Sequence, residues 1–249
     1  MSATTHPRVE SWRRGFYRFR QSWVSVLGLL IVLVLLVLAI GGAHLTPFPQ
    51  HIQGVVDTSS RLQPPSMSYW FGTNELGQDV FSLVVAGTRI SLLAGMAVVI
   101  VGAAFGVFVG ALAGFFGGWV DEVLMRIADL KLTIPGLILA MAVAAALGPG
   151  IVNMIFAIAL SWWPGYARLV RGEVMAKREE TFVLASRAMG AGTGRLLWRH
   201  ILPNIVSPII VKMSLDMGFA ILTVASLGFI GIGVKPPTPE WGSSSPSRG

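Results

Sequence analysis

Trp23 to Ala43 reads WVSVLGLLIVLVLLVLAIGGA, a run without a single charged residue. At about 1.5 Å per residue such a run covers the roughly 30 Å hydrocarbon core of a bilayer. Lipid offers backbone groups no partners, so the run has to be a helix. Five arginines precede it, Arg8, Arg13, Arg14, Arg18 and Arg20. A cleavable signal peptide has an apolar core of only about 7–15 residues, so this longer run is read as an uncleaved anchor.

The rest of the chain follows the same pattern. Hydrophobic residues make up 53% and charged residues 12%, against about 25% charged in soluble domains, and the mean hydropathy is +0.69. Further apolar stretches run from about Ile90 to Phe116, Val123 to Leu147, Ile151 to Val170 and Ile205 to Val234. The expected fold is therefore an all-α, polytopic transmembrane bundle of five spans. Residues 1–22 form a tail, 23–43 the first span, 44–87 a polar connection, 88–234 a four-span core and 235–249 a second tail.

Net charge is +7. The basic residues lie between apolar runs, so they report orientation rather than nucleic-acid binding. Arg168, Arg171, Lys177, Arg178, Arg187, Arg195 and Arg199 crowd one connection, whereas the 44–87 segment carries only Arg61. The crowded connection and the N-terminus are expected in the cytoplasm, with 44–87 and 235–249 on the other side of the membrane. The chain has no cysteine, and His6, His44, His51 and His200 are scattered. It contains no HExxH, GxSxG or P-loop, so neither a membrane enzyme nor an ATPase is indicated. A secondary transporter would more often show repeated halves and interrupted helices.

Gly102, Gly106, Gly110, Gly114 and Gly118 recur at every fourth position. Such a stripe lets helix backbones approach closely, or it lines a pore. At the start of the third stretch, Glu122 and Arg126 are four apart and Arg126 and Asp129 three apart, on one helix face. They read as a paired helix end or as part of a gate. Asp216 lies inside the last stretch with Lys212 one turn before it. A lone carboxylate in lipid is costly, so it is neutralised by Lys212 or faces a water-filled path. Asn153 and Ser161 are weaker candidates of the same kind. Lys131 and Pro135 close the third group, the proline kinking its helix.

The segment REETFVLASRAMGAGTGRLLWRHILPN, Arg178 to Asn204, is the most specific. Phe182, Ala185, Ala188 and Met189 make an apolar stripe on a short helix, and Gly190, Gly192 and Gly194 break it. A unit of this size suits docking as a helix in a partner's groove.

This segment resembles the cytoplasmic coupling loop of permease subunits of ABC importers, in the dipeptide/oligopeptide/nickel class. Ala185, Gly190 and the run from His200 to Asn204 carry the match, and three further stretches extend it: Phe71 to Ser82, Asp121 to Gly136 and Ala225 to Gly242. The resemblance implies a type I importer fold. It implies a coupling loop over 171–204 that uses Phe182, Ala185, Ala188, Gly190, Ala191, His200, Pro203 and Asn204. It also implies a second permease subunit, two ATPase subunits and an external substrate-binding protein. ATP and magnesium would belong to the ATPase, with no cofactor, metal or catalytic residue on this chain. Asp216, Lys212, Asn153, Arg126 and Asp129 are the expected path or gate residues. The absence of His- or Cys-rich spacing tilts the substrate toward di- or oligopeptides rather than nickel.

Two departures stand out. Where the family shows GTDxxGRD, this chain has Asn74 and Gln78. The family has a sixth span after the position of Gly242, whereas here the polar SSSPSRG of residues 243–249 follows. A five-span product is expected to leave a helix-sized gap.

Overall fold

A computed structural model describes residues 17, 19–233 and 241–242. Arg8, Arg13, Arg14 and Arg18 and residues 234–240 and 243–249 lie outside the described residues. Helix α1 spans Trp23–Leu45, α2 Val80–Phe116, α3 Gly118–Leu132, α4 Gly136–Leu147, α5 Ile151–Arg178, α6 Thr181–Ala188 and α7 Val206–Phe229. Single helical turns, among them Pro49–Ile52 and Thr58–Ser60, punctuate the connections.

Helix α1 begins where the Ser22 hydroxyl accepts from the Ser25 N–H, a standard N-cap that satisfies one orphan donor. Its apolar stretch, Trp23–Gly42, is almost entirely unburied within the protein, as suits a helix that is hydrophobic all round and faces lipid. Gly42 brings it against α2, because a Cβ there would stand 3.2 Å from the Val85 carbonyl oxygen.

Helix α2 starts ten residues before the expected Ile90. The Asp79 carboxylate caps it, accepting from the Ser82 N–H at 2.9 Å and from the Ser82 hydroxyl at 2.6 Å. Ser82, Thr88 and Ser91 give this stretch the look of a loop, yet all three are buried inside the protein. The connection before it is correspondingly shorter and well tied. The Asp57 carboxylate accepts from both Ser59 and Ser60, and the Ser59 hydroxyl bond leads in holding this exposed carboxyl below the usual range. That tie is present near neutrality and is lost as pH falls through the lowered value.

Four of the five ladder glycines pack α2 onto α5. Gly102 faces Ala159, Gly106 faces Trp163, Gly110 faces Ala167 and Gly114 faces Arg171, so each meets the residue 57 positions later and the two helices run parallel. A Cβ at Gly106 would come within 2.5 Å of the Trp163 carbonyl oxygen, and at Gly110 within 2.9 Å of the Ala167 Cα. In lipid this close approach replaces the hydrophobic effect as the force between helices. Gly118 is a correction to the stripe. Helix α2 ends at Phe116, and Gly117 and Gly118 turn the chain with φ of 66° and 53°.

The third expected span is not one kinked helix. Helices α3 and α4 meet at 89° across Thr133–Pro135. Pro135 fits because it stands at the N-cap of α4, outside either helix. Helix α4 has 12 residues, about 18 Å long, so it does not cross a bilayer alone. Helix α5 runs on to Arg178, past the expected Val170, and α7 stops at Phe229 rather than Val234, which lies outside the described residues. Arg178 closes the far end of α2, donating to the Gly114 and Phe115 carbonyl oxygens at 3.2 and 3.3 Å.

Helices α1, α2 and α7 are each long and apolar enough to span a membrane, and α3 with α4 counts as a fourth span if the bent pair is one crossing. Helix α5, expected as a span, is continuous and long enough, but its apolar run is broken by Trp162, Trp163, Pro164, Gly165 and Tyr166 and by Arg168. Its Met154, Ala157 and Ile158 are buried against Val98 of α2, Ala140 and Ala144 of α4 and Val224 of α7. A second core, at the end of the bundle where the basic residues gather, joins Val170 and Val174 to Val183, Leu196, Leu197 and Ile201.

Candidate functional site

Helix α6 hangs from that second core. Val183, fully buried, is its anchor, and Ala191 packs at the margin. Lys177 and Glu180 form an ion pair at 2.6 Å at the junction with α5. The expected stripe of Phe182, Ala185, Ala188 and Met189 exists, but it faces outward: all four are exposed, Met189 at 81%. Leu184 and Trp198 add to this uncovered apolar surface. Sequence reasoning missed Val183, because an eight-residue helix accommodates either stripe. The signal was its partners, the Leu196-Leu197 pair and Ile201, which could only be an inward face.

Gly190 ends α6 with φ of 83°. The Ala191 N–H reaches back to the Ser186 carbonyl oxygen at 3.1 Å and the Gly190 N–H to that of Arg187 at 2.9 Å. This is a glycine-dependent helix stop. Gly190→Ala should cost about 1 kcal/mol through the left-handed backbone alone, since a Cβ there meets nothing. Faster amide exchange across residues 181–191, with the spans unaffected, is the expected readout. Beyond it, residues Leu196–Ile201 form a wide helical turn. The Asn204 amide donates to the His200 carbonyl oxygen at 2.6 Å, while Pro203 is exposed and His200 half-buried. The residues from Arg171 to Arg178, expected within the loop, belong to α5.

Two of the ion pairs cross between helices. Asp121 binds Arg171, with its second oxygen 2.6 Å from Nη2, and Asp129 binds Arg168 at 2.5 Å. The Glu122–Arg126 and Arg126–Asp129 pairs expected from spacing do not form. Among the described residues Glu122 and Arg126 have no ion-pair partner, and with Trp119 and Asp129 they line an open cleft of about 500 Å³. Lys212 and Asp216 do pair, at 3.0 Å, and the Lys212 ammonium stands 4.9 Å from the centre of the Tyr166 ring. Lys131 reaches from the bend between α3 and α4 to the Ser161 carbonyl oxygen. Asn153 spends its amide on the Leu147 and Gly148 carbonyl oxygens at 2.9 and 3.0 Å, fastening the turn between α4 and α5.

The two departures at Asn74 and Gln78 bond to each other. The Asn74 amide donates to Gln78 Oε1 at 3.1 Å, and Gln78 Nε2 donates on to the Val55 carbonyl oxygen at 3.2 Å. A neutral pair thus occupies the positions where the family pattern has an acid and an arginine. The Asp79 N–H donates to His51 Nδ1 at 3.0 Å beside it. Asp79→Ala, removing the α2 cap, should cost about 1–2 kcal/mol, read as a lowered unfolding midpoint of the solubilised protein.

Residues 106–248 match the family model described as binding-protein-dependent transport system inner membrane component. Residues 11–65 match the N-terminal transmembrane domain of oligopeptide transport permease C. A glutathione transport system permease protein of Pectobacterium atrosepticum is 41% identical over 232 residues, 93% of this chain and 76% of its own length. A dipeptide transport system permease protein of Alkalihalophilus pseudofirmus is 41% identical over 234 residues, 94% of this chain and 76% of its own. The glutathione permease of an Escherichia coli strain is 42% identical over 232 residues. With a family model covering more than half of it and relatives this similar along nearly its whole length, the chain belongs to the binding-protein-dependent transport system inner membrane components, as a multi-pass permease of the inner membrane.

Proposed function

We propose that this chain is a permease subunit of an ATP-driven importer for di- or oligopeptides, and that α6 with the turns after it receives the stroke of a separate ATPase. The observation that carries this reading is the division of α6 into a buried anchor, Val183, and an uncovered apolar face, Phe182, Ala185 and Met189. A helix that is gripped from one side and bare on the other suits a partner's groove. The basic end of the bundle then lies in the cytoplasm with the N-terminus, by the excess of Lys and Arg there. The capped end, with the Asn74–Gln78 pair, faces an external substrate-binding protein. A second permease subunit completes the passage, and ATP and magnesium stay on the ATPase pair. The substrate class is supported by the dipeptide and glutathione relatives, glutathione being itself a tripeptide.

The chain lacks cysteine, so Ala185→Cys introduces its only thiol. In the assembled importer this thiol should cross-link to the ATPase subunit and to no other, and dipeptide uptake into vesicles should require ATP. Absence of any cross-link from positions 182, 185 and 189 would remove the coupling role.

A further inference from the structure

Helix α5 has an open side. A Cβ at Gly172 would meet nothing, and one at Gly165 would meet only Lys212, with Cε at 3.6 Å and Nζ at 3.7 Å. Lys131, at the bend between α3 and α4, and Lys212 of α7 flank this side, which we treat as the floor of a trough. Two ammonium groups converge on one turn of the floor. Lys131 binds the Ser161 carbonyl oxygen, and Lys212 lies over Gly165, four residues on. One carboxylate, Asp216, accompanies them. The buried Tyr166 hydroxyl approaches Asp216 but completes no hydrogen bond. The Arg168–Asp129 pair follows further toward the basic end.

The depth of this cluster follows from helix register. Gly42, at the end of the apolar window of α1, stands at Val85 of α2. About twenty residues along α2 from there, the length of that window, is the level of Gly102 and Gly106, which face Ala159 and Trp163. The cluster therefore sits where the apolar band ends toward the basic end. Ionisable groups at such depth face protein or water and mark pathways. Lys212 and Asp216 keep 31% and 18% of their side chains exposed, so the pair is reachable.

We propose that this trough takes the free carboxylate of a peptide between Lys131 and Lys212. The proposal rests on the peptide-importer reading. Two cations against one anion leave an excess positive charge. The C-terminal carboxylate of a peptide offsets it, and the glycine floor admits its backbone without selecting side chains. An acidic residue of the second permease subunit is the competing occupant.

Gly165→Cys places the chain's only thiol on the floor, at ordinary contact distance from Lys212. In the complete importer in proteoliposomes, the anionic sulfonatoethyl methanethiosulfonate should label it about tenfold faster than the cationic trimethylammonium analogue, by focusing of charge in a cleft. In Lys131→Gln/Lys212→Gln, where Asp216 is left alone, the ratio should fall to one or below. Dialanine should slow labelling and dialanine amide should not. A thiol that neither reagent reaches, or a ratio that survives loss of both lysines, overturns the proposal, as a trough filled by the partner subunit would. Equal protection by dialanine and its amide, or protection by neither, overturns the carboxylate assignment. ATP-driven dialanine uptake in the same vesicles tests the importer reading separately: uptake without charge-selective labelling sinks the trough alone.

Discussion

Gly110→Ala is expected to force α2 away from α5 and to cost about 2–3 kcal/mol, the upper part of the range for overpacking. The new Cβ would overlap the Ala167 carbonyl oxygen and lie 2.9 Å from its Cα. These are backbone atoms, so no side-chain rotation relieves the clash. Gly102→Ala, at 3.5 Å from the Ala159 carbonyl oxygen, is the control on the same stripe and should be nearly silent, helix propensity favouring it slightly. The unfolding midpoint of the solubilised subunit, followed by intrinsic tryptophan fluorescence, separates them. If both variants melt alike, the parallel contact between α2 and α5 is not what holds the bundle.

Val183→Asp should have the larger functional effect. Val183 is fully buried among Val170, Val174, Leu196, Leu197 and Ile201. An unpaired carboxylate there would carry several kcal/mol of desolvation cost, more than a helix of two turns supplies. Helix α6 should leave its seat while the spans remain folded. The expected phenotype is an inserted subunit whose ATPase partner still hydrolyses ATP and whose peptide uptake is below about a tenth of normal. Phe182→Asp changes the outer face and should instead weaken association with the ATPase. Normal uptake with Val183→Asp would show that the anchor does not transmit the stroke.

Much of this was legible in the sequence for identifiable reasons. Helix α1 needed only an uncharged run of sufficient length. The short helix α6 was legible because Gly190 stops a helix in one conformation that glycine alone adopts freely. The start of α2 was not, because Ser82, Thr88 and Ser91 look solvated and are in fact buried among protein neighbours. Lys212–Asp216 was legible from its spacing of one turn, but Asp121–Arg171 and Asp129–Arg168 were not, because they join residues in different helices. Lys131 was likewise visible as a charge near Pro135, but its partner on Ser161 depends on the 89° bend.

Arg178 gives the junction a mechanical character. It is the last residue of α5, two positions before Glu180 leads into α6, and its guanidinium also grips the final carbonyls of α2. The glycine register makes α2 and α5 a single rigid plank along several turns. A displacement delivered at α6 is thus handed to two helices through one clamp, and the pair tilts together rather than sliding. On the proposed coupling role, the subunit would transmit its stroke as a lever with a fixed arm.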